Sequence, residues 1–121
     1  MFKLIYCLRR KPNMSVEEFQ QYWRDVHAPL VAERAELLGI KRYIQAHSTM
    51  PDLIPVFQQR NGGSAEPYDG VAEIWFDSLD ALGSEDPAVQ QAAADLLADE
   101  GNFIDLAQSP LWIAQENVVI A

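Results

Sequence analysis

Residues 19–30 read FQQYWRDVHAPL, and this stretch decides how the neighbouring elements are arranged. Ser15, which precedes it, is the expected N-cap of a helix. Glu18, three residues further on, completes a capping box. At 100° per residue the apolar side chains fall on one narrow stripe, which predicts an amphipathic helix that ends at Gly39. The stripe consists of Phe19, Trp23, Val26, Leu30 and Leu37.

Pro29 interrupts this helix, because a proline removes one backbone hydrogen bond and clashes with the carbonyl four residues back. We therefore expect a kink near residues 26–28. His27 lies about 60° to one side of the stripe and Tyr22 about 80° to the other. A histidine beside an opened backbone can reach a cleft and act as a general acid or base. The alternative is that its ring caps carbonyls freed by the kink.

The remaining pattern predicts four strands and a second helix. The strands are rich in β-branched and aromatic residues and cover residues 2–8, 40–48, 70–76 and 111–120. Asp86-Pro87 opens the second helix, since proline is favoured at the first helical position. The resulting order, β-α-β-β-α-β, is the split βαβ pattern of ferredoxin-like α+β folds. One domain over 1–121 accounts for the length.

The connection over residues 50–69 contains three prolines and a Gly62-Gly63 pair. A loop of that length inside a compact domain indicates function, mobility or both.

Helices cover one face of such a sheet, and the other face is predicted to be too apolar for water. We place Tyr43, Gln45 and His47 on this open face, together with Glu73 and Trp75. An apolar face of this size needs a cover, and a second copy related by a two-fold axis is the simplest one. The sequence therefore predicts a homodimer that encloses a barrel interior.

The charge distribution excludes several partners. The formal net charge is −9; all nine Lys and Arg lie at or before Arg60, and twelve acids follow it. Such a chain repels phosphate backbones and anionic lipids, so we expect neither nucleic acid nor a membrane as partner. No apolar run approaches a membrane span and no signal peptide is evident, which favours the cytoplasm.

The chain has too few metal-binding side chains for a familiar site. Cys7, His27 and His47 are its only thiol and imidazoles, and a zinc site needs three or four ligands at characteristic spacing. A single cysteine allows no internal disulfide and is expected to be a buried, inert thiol. No glycine-rich phosphate loop or dinucleotide fingerprint is present. We expect neither a metal nor a cofactor.

Several further side chains are candidates to bind a substrate, each with a structural alternative. Tyr6 can donate a hydrogen bond to a ligand carbonyl or be a core tyrosine. His47 can act in a pocket or be a satisfied core or interface histidine. Glu73 can be a desolvated acid or base, or pair across the dimer. Trp75 and Tyr43 can line the pocket, and packing alone also accounts for Trp75.

Three segments resemble the EthD family of the dimeric α+β barrel superfamily. They are the run Phe19…Tyr22-Trp23…His27-Ala28-Pro29-Leu30, the segment Tyr43-Ile44-Gln45 and the segment from Tyr68 to Phe76. The resemblance implies a ferredoxin-like fold and a homodimer. It also implies a link to catabolism of ethers and aromatic compounds, often beside oxygenases, or to tailoring of aromatic polyketides.

Relatives include cofactor-free monooxygenases, cyclases and decarboxylases, and the resemblance makes His27 the best catalytic candidate, with Tyr22 lining the pocket. Our first hypothesis is a cofactor-independent, oxidoreductase-associated enzyme in which His27 transfers a proton on a small aromatic, ether or polyketide-like molecule. The second is a non-catalytic module that holds a hydrophobic metabolite for a partner oxygenase. The third is a structural dimer with a filled interior, which predicts a cavity under roughly 300 Å³.

Overall fold

The computed structural model describes residues 1–121 and contains four strands and four α-helices. The strands are β1 (Phe2–Leu8), β2 (Ile40–His47), β3 (Gly70–Phe76) and β4 (Leu111–Ala114). The helices are α1 (Val16–Tyr22), α2 (Ala28–Leu38), α3 (Ile54–Arg60) and α4 (Pro87–Glu100). A π-helical turn over Trp23–His27 joins α1 to α2, and short 3₁₀ turns lie at Pro51–Leu53 and Leu106–Gln108. None of the helices combines the length and the apolar character needed to span a bilayer.

The four strands form one antiparallel sheet in the order β2-β3-β1-β4. β1 lies between β3 and β4, so that Tyr6 is opposite Ala72 on one side and Leu111 on the other. The strands that follow one another in sequence, β1 and β2, are separated by β3. The α+β, ferredoxin-like arrangement predicted from the order of elements is confirmed.

The predicted ends of the first helical region are confirmed. The Ser15 hydroxyl accepts the Glu18 N–H at 3.1 Å, and the Glu18 carboxylate accepts the Ser15 N–H at 3.1 Å. Gly39 ends α2 with φ 73°, a left-handed conformation that a residue without Cβ adopts at little cost.

The interior of this region corrects the predicted buried stripe. The Ala28 N–H donates to the carbonyl of Trp23, five residues back, so the turn contains one residue more than an α-helix. Every buried position after Trp23 is therefore displaced by one residue. Val26 and Leu37 are exposed and Leu30 is half-buried, whereas the buried side chains are His27, Val31 and Leu38.

Aromatic side chains between the helices and the sheet form the main core. Phe19, Trp23 and Phe103 are almost completely buried, and Phe19 contacts the other two with ring centroids 5.7 and 5.6 Å apart. Trp23 lies directly on β3, where a Cβ at Gly70 would overlap its ring. A glycine at this position lets the helix approach the sheet closely.

The predicted orientation of β2 was wrong: Tyr43, Gln45 and His47 share one face, as expected, but it is the face under the helices. Tyr43 pairs with Ile74, and its hydroxyl and the Gln45 amide bond to Trp23, so these side chains lie under the helices. His47 stacks on Trp23 on the same side. Both faces of β2 carry apolar side chains, since Ile44 alternates with Tyr43. The periodicity therefore could not indicate which face is turned toward the helices.

The last strand is shorter than predicted, ending at Ala114 rather than Ile120. Beyond it, the Glu116 carboxylate accepts the Trp75 indole N–H at 2.6 Å, which draws the chain across the open face of the sheet. Residues 118–120 are strongly exposed.

The connection over residues 50–69 was expected to be a loop but contains α3. Its apolar side chains at Val56 and Phe57 are exposed.

Candidate active site between the helices and the sheet

The π-helical turn points His27 into the protein. The side chain is buried, with 5% of the residue exposed, and its ring lies 5.1 Å from that of Phe103 between centroids. A regular helix would have placed Val26 there. Turns of this kind are frequent at functional sites because they redirect one side chain without ending the helix.

Asp99, at the end of α4, holds the His27 ring. Its Oδ2 lies 2.8 Å from His27 Nδ1, and its Oδ1 accepts the Tyr22 hydroxyl at 2.6 Å and the Asn102 amide at 3.3 Å. Burial acts to raise the pKa of Asp99, but the hydrogen bonds from Tyr22, His27 and Asn102 outweigh it and hold the pKa below its usual value. Asp99 is therefore a carboxylate at neutral pH.

A carboxylate only accepts hydrogen bonds, so the Nδ1 of neutral His27 carries the proton and Nε2 has the free lone pair. Nε2 makes no hydrogen bond within the protein, and His27 lines an internal cavity. This is the arrangement of an oriented general base: one ring nitrogen fixed by an acid, the other available to a substrate.

The cavity lies between α2, α4 and the sheet and has a volume of about 60 Å³. Ten of the twelve residues that line it are hydrophobic. The other two are His27 and Glu100, and three of the hydrophobic ones also carry an O–H or N–H group: Tyr6, Trp23 and Tyr43. The volume holds a few water molecules and is far below the ~300–1,000 Å³ of a typical ligand site.

Tyr43 lines the cavity, and its O–H group is free to donate. Its hydroxyl oxygen accepts the Trp23 indole N–H at 3.2 Å and a Gln45 amide N–H at 3.0 Å. With both acceptor positions occupied, the remaining O–H is available to a ligand oxygen. Burial raises the pKa of Tyr43, and the hydrogen bonds from Gln45 and Trp23 oppose that effect without cancelling it, so the phenol keeps its proton.

Tyr6 and Glu100 form a second polar pair in the same cavity. Burial raises the pKa of Glu100, although the Tyr6 hydroxyl partly offsets the rise. Burial, followed by the neighbouring Glu100 charge, also raises the pKa of Tyr6. The carboxyl therefore holds its proton to a higher pH than an exposed glutamate does.

Asp99 and Glu100 were not found from the sequence, although one signal was present. Two adjacent acids end a helix, where the negative end of the dipole disfavours anions. Such a placement is unfavourable for the helix itself and indicates that something else holds the carboxyls there.

The structure gathers only part of the predicted set. His27, Tyr6 and Tyr43 meet at the cavity, while Tyr22 lies behind Asp99 and reaches His27 only through it. His47 does not line the cavity. Its Nε2 bonds to Gln45 Oε1 at 2.7 Å, its Nδ1 is buried without a partner, and burial and then Arg24 lower its pKa.

Glu73 and Trp75 lie on the opposite, open face of the sheet. Glu73 Oε1 is 3.1 Å from the Lys3 ammonium, and Trp75 lies between the Lys3 and Arg42 cations at 5.0 and 4.7 Å from its ring centroid. The sheet itself separates both residues from His27, so one cavity cannot hold all the predicted binding residues.

A larger groove of about 510 Å³ lies elsewhere, between the start of α1 and the 50–69 connection. It is lined mainly by polar residues, and its cations are already paired: Arg10 with Asp69 at 2.6 Å, and Arg9 with the carbonyls of Glu66 and Pro67. The groove includes no histidine, so the smaller cavity is the better candidate for acid–base chemistry. No three His, Cys, Asp or Glu side chains cluster in a way that could hold a metal ion.

Comparison with known proteins agrees with the fold and the resemblance. The EthD domain family matches residues 11–107. This chain belongs to the EthD domain family. The match begins before α1 and extends beyond α4, so it includes His27 and the two acids that flank it.

Two curated relatives carry enzyme names. Dehydratase ustZ of Ustilaginoidea virens is 29% identical over 108 residues, which are 86% of this chain and 75% of the relative. Decarboxylase claH of Passalora fulva is 28% identical over 109 residues, which are 86% of this chain and 68% of the relative.

Among solved structures, a dimeric protein of ferredoxin-like fold from Bacteroides fragilis superposes with a TM-score of 0.58 at 14% identity, covering 95% of each chain. At this identity the likeness shows the fold alone.

Proposed function

We propose that this protein is a small tailoring enzyme that dehydrates or decarboxylates an aromatic or polyketide-like molecule without a redox step, with His27 transferring the proton. The observation that carries the proposal is the His27–Asp99 pair: Asp99 holds Nδ1, and His27 lines an apolar cavity with Nε2 free of hydrogen bonds within the protein. The relatives named dehydratase and decarboxylase support it. Their names give no support to the predicted association with oxidoreductases.

Both reactions need a base beside a carbonyl and a donor for the oxygen that becomes negative. His27 takes a proton from the carbon next to a carbonyl or phenol in dehydration, or returns one to carbon after CO₂ leaves. The Tyr43 O–H, already positioned by Trp23 and Gln45, stabilises the enolate or phenolate oxygen. The apolar walls lower the local dielectric constant, which strengthens both interactions.

The cavity must widen to admit a ring. Val31 of α2 and Leu96 of α4 form part of its walls, so a small separation of these two helices enlarges it. A ligand that binds only the widened native form raises the melting temperature by mass action. We therefore expect thermal stabilisation by small phenols and aryl ketones.

The test compares two histidines that lie on the same side of the sheet. His27→Gln is expected to lower turnover of an aryl β-hydroxy ketone or an aryl carboxylic acid by about 10²–10⁴-fold, because the oriented base is lost. His47→Gln, the matched control, is expected to stay within about threefold, because His47 does not line the cavity. Turnover that survives in His27→Gln would overturn the proposal.

A second candidate function is retention of a hydrophobic metabolite without chemistry, and the predominantly apolar lining of the cavity favours it. In that case wild type and His27→Gln bind the same phenols, as measured by calorimetry, and neither turns them over. The small volume of about 60 Å³ favours a filled interior, for which no compound raises the melting temperature.

We also propose that the open face of the sheet pairs with a second copy of the chain. Ile44 and Trp112 lie on this face with 38% and 47% of their surfaces exposed. The Bacteroides fragilis protein of the same fold is described as dimeric. Light scattering is expected to give twice the chain mass of 13.6 kDa at micromolar concentration, and the mass of one chain would contradict the pairing.

A further inference from the structure

Glu100 lines the cavity together with His27, whereas Asp99 does not. Successive helical residues point about 100° apart, so two adjacent acids at the end of α4 face different directions. Asp99 reaches Nδ1 from behind the ring. Glu100 lines the same cavity as His27. One histidine is therefore placed between an acid that orients it and an acid that shares its substrate space.

The surroundings of Glu100 favour its neutral form. No lysine or arginine lines the cavity, and its neighbours there include Leu96 and Ile104. The titratable groups near it are Tyr6, His27, Tyr43 and Asp99, and only His27 can offer a positive charge. Glu100 also lies at the carboxyl end of a helix, where the negative end of the dipole destabilises an anion. Burial raises the pKa of this half-buried carboxyl, so it keeps its proton, and can donate it, at a higher pH than an exposed glutamate does.

We propose that Glu100 is the acid of the dehydration reaction, giving its proton to the hydroxyl that leaves while His27 takes the proton from the adjacent carbon. This assignment rests on the proposed function, and it favours β-hydroxy carbonyl compounds as the substrate class. An unprotonated base and a protonated acid in one mostly apolar cavity are the usual arrangement for such paired proton transfers.

The step balances without any further reagent. His27 Nε2 removes the hydrogen next to the carbonyl, the electron pair of the C–H bond forms the C=C bond, and the C–O bond of the hydroxyl breaks. The Glu100 O–H bond breaks, its proton joins the oxygen of the departing hydroxyl, and water leaves. The step ends with an imidazolium and a carboxylate, and transfer of one proton from His27 to Glu100, through solvent after product release, restores the starting state.

Tyr6 is a positioning residue in this scheme. Its hydroxyl interacts with the Glu100 carboxyl, and β1 fixes its ring against the floor of the cavity. It limits the rotation of the carboxyl so that the acidic proton stays directed at the substrate.

The experiment uses two substrates that differ only in the leaving group. An aryl β-hydroxy ketone must be protonated to lose water, whereas its β-acetoxy analogue loses acetate without help from an acid. Glu100→Gln is expected to slow the hydroxy substrate by about 100-fold or more and the acetoxy substrate by less than about fivefold. His27→Gln is expected to slow both, because each needs the base. Glu100→Asp, which retains a carboxyl, is expected to recover part of the rate on the hydroxy substrate.

A third measurement separates failure of this inference from failure of the proposed function. Exchange of the α-hydrogen of the parent ketone for deuterium needs His27 but no leaving group. We expect exchange in wild type and in Glu100→Gln and none in His27→Gln.

Wild type that neither exchanges nor eliminates contradicts the proposed function and, with it, this inference. Wild type that does both, while Glu100→Gln slows the two leaving groups equally or slows neither, overturns the role of Glu100 alone. Circular dichroism of each variant checks that it folds.

Discussion

Trp23 and Trp75 lie on opposite sides of the same sheet, and each donates its indole N–H to a side-chain oxygen. Trp23 donates to the Tyr43 hydroxyl, stacks on His47 and packs among Phe19 and other aromatic rings. Trp75 donates to the exposed carboxylate of Glu116 and is covered by the side chains of cations. The same type of indole hydrogen bond therefore lies in an aromatic core on one face and among charged side chains on the other.

The two faces differ in charge and in exposure to solvent. Under the helices, Tyr6, His27, Tyr43 and Glu100 share a space with no permanent cation, and burial raises the pKa of Tyr6, Tyr43 and Glu100. On the open face, Lys3 pairs with Glu73 at 3.1 Å and with Glu116 at 3.6 Å, where solvent screens much of the attraction. We infer that the helix side is built for proton transfer and the open face for contact with another copy.

The largest test of this comparison removes each tryptophan in turn. Trp23→Ala is expected to lower the free energy of unfolding by about 3–5 kcal/mol, because it empties the centre of the aromatic core. Trp75→Ala is expected to lower the free energy of unfolding by less than half as much, since the Trp75 ring mainly contacts cationic side chains and their aliphatic stems. Urea unfolding at concentrations that keep the protein in one oligomeric state measures both. Equal losses would show that the two faces are equally core-like.

A charge placed on the open face tests its role in assembly. Ile44→Asp is expected to weaken dimerisation by about 2–3 kcal/mol, because the interface would have to bury an unpaired carboxylate. The variant should scatter light as a single chain of 13.6 kDa at concentrations where wild type is paired. Ser48→Asp, exposed just beyond β2, is a control that should leave the mass unchanged. A dimer that persists in Ile44→Asp would place the interface elsewhere.

The close approach of helix and sheet is tested at two glycines. Gly70→Ala puts a methyl group against the Trp23 ring, with Cη2 at 2.9 Å and the Ala46 carbonyl at 3.1 Å, and is expected to destabilise the fold by about 1–3 kcal/mol. Gly101→Ala, with its nearest atom at 3.4 Å, is expected to change stability by less than about 0.5 kcal/mol. Thermal melts of the two variants compare them directly, and similar melting temperatures would show that Trp23 can move.

The smallest effect concerns pH, and its sign is the test. Burial raises the pKa of Glu100 in the folded state above its ordinary value near 4.5. The favourable contribution of Glu100 to the free energy of unfolding is complete below pH 4.5. It is lost as the pH rises through the pKa of Glu100 in the folded state. Glu100→Gln does not titrate, so its stability relative to wild type should increase between about pH 4.5 and neutral pH.

Melting temperatures across this range measure the change in stability. Glu17→Gln, which removes an exposed carboxyl at the start of α1, should show no such trend. A flat difference between wild type and Glu100→Gln would mean that folding leaves the pKa of the carboxyl at its ordinary value.

The order of elements and both ends of the first helical region were predicted from local signals that act within a few residues. Ser15, Glu18 and Gly39 set those ends through contacts along the chain itself. The faces of β2 could not be predicted in this way, because Tyr43 and Ile44 are both apolar and only the contact with Trp23 distinguishes them. The end of β4 depends likewise on Glu116 reaching Trp75, a contact between distant parts of the sequence.

For the site, the sequence indicated His27, Tyr6 and Tyr43 but not their acidic partners. Asp99 lies 72 residues from His27 and meets it only because α4 packs beside the π-helical turn. The turn itself depends on an extra residue that helical periodicity does not reveal, since a regular pattern assigned the inward position to Val26. Pro29 marked the right neighbourhood for the irregularity but did not define its geometry.

The extra residue in that turn has a consequence for the history of the chain. A regular helix with one residue fewer between Trp23 and His27 would present the same four side chains, Trp23, His27, Val31 and Leu38, to the interior. Gain or loss of a single codon here therefore leaves the composition of the core unchanged and alters only the local width of the helix. Lineages can differ in length at this point while keeping the histidine, and an alignment without gaps would then misplace it by one position.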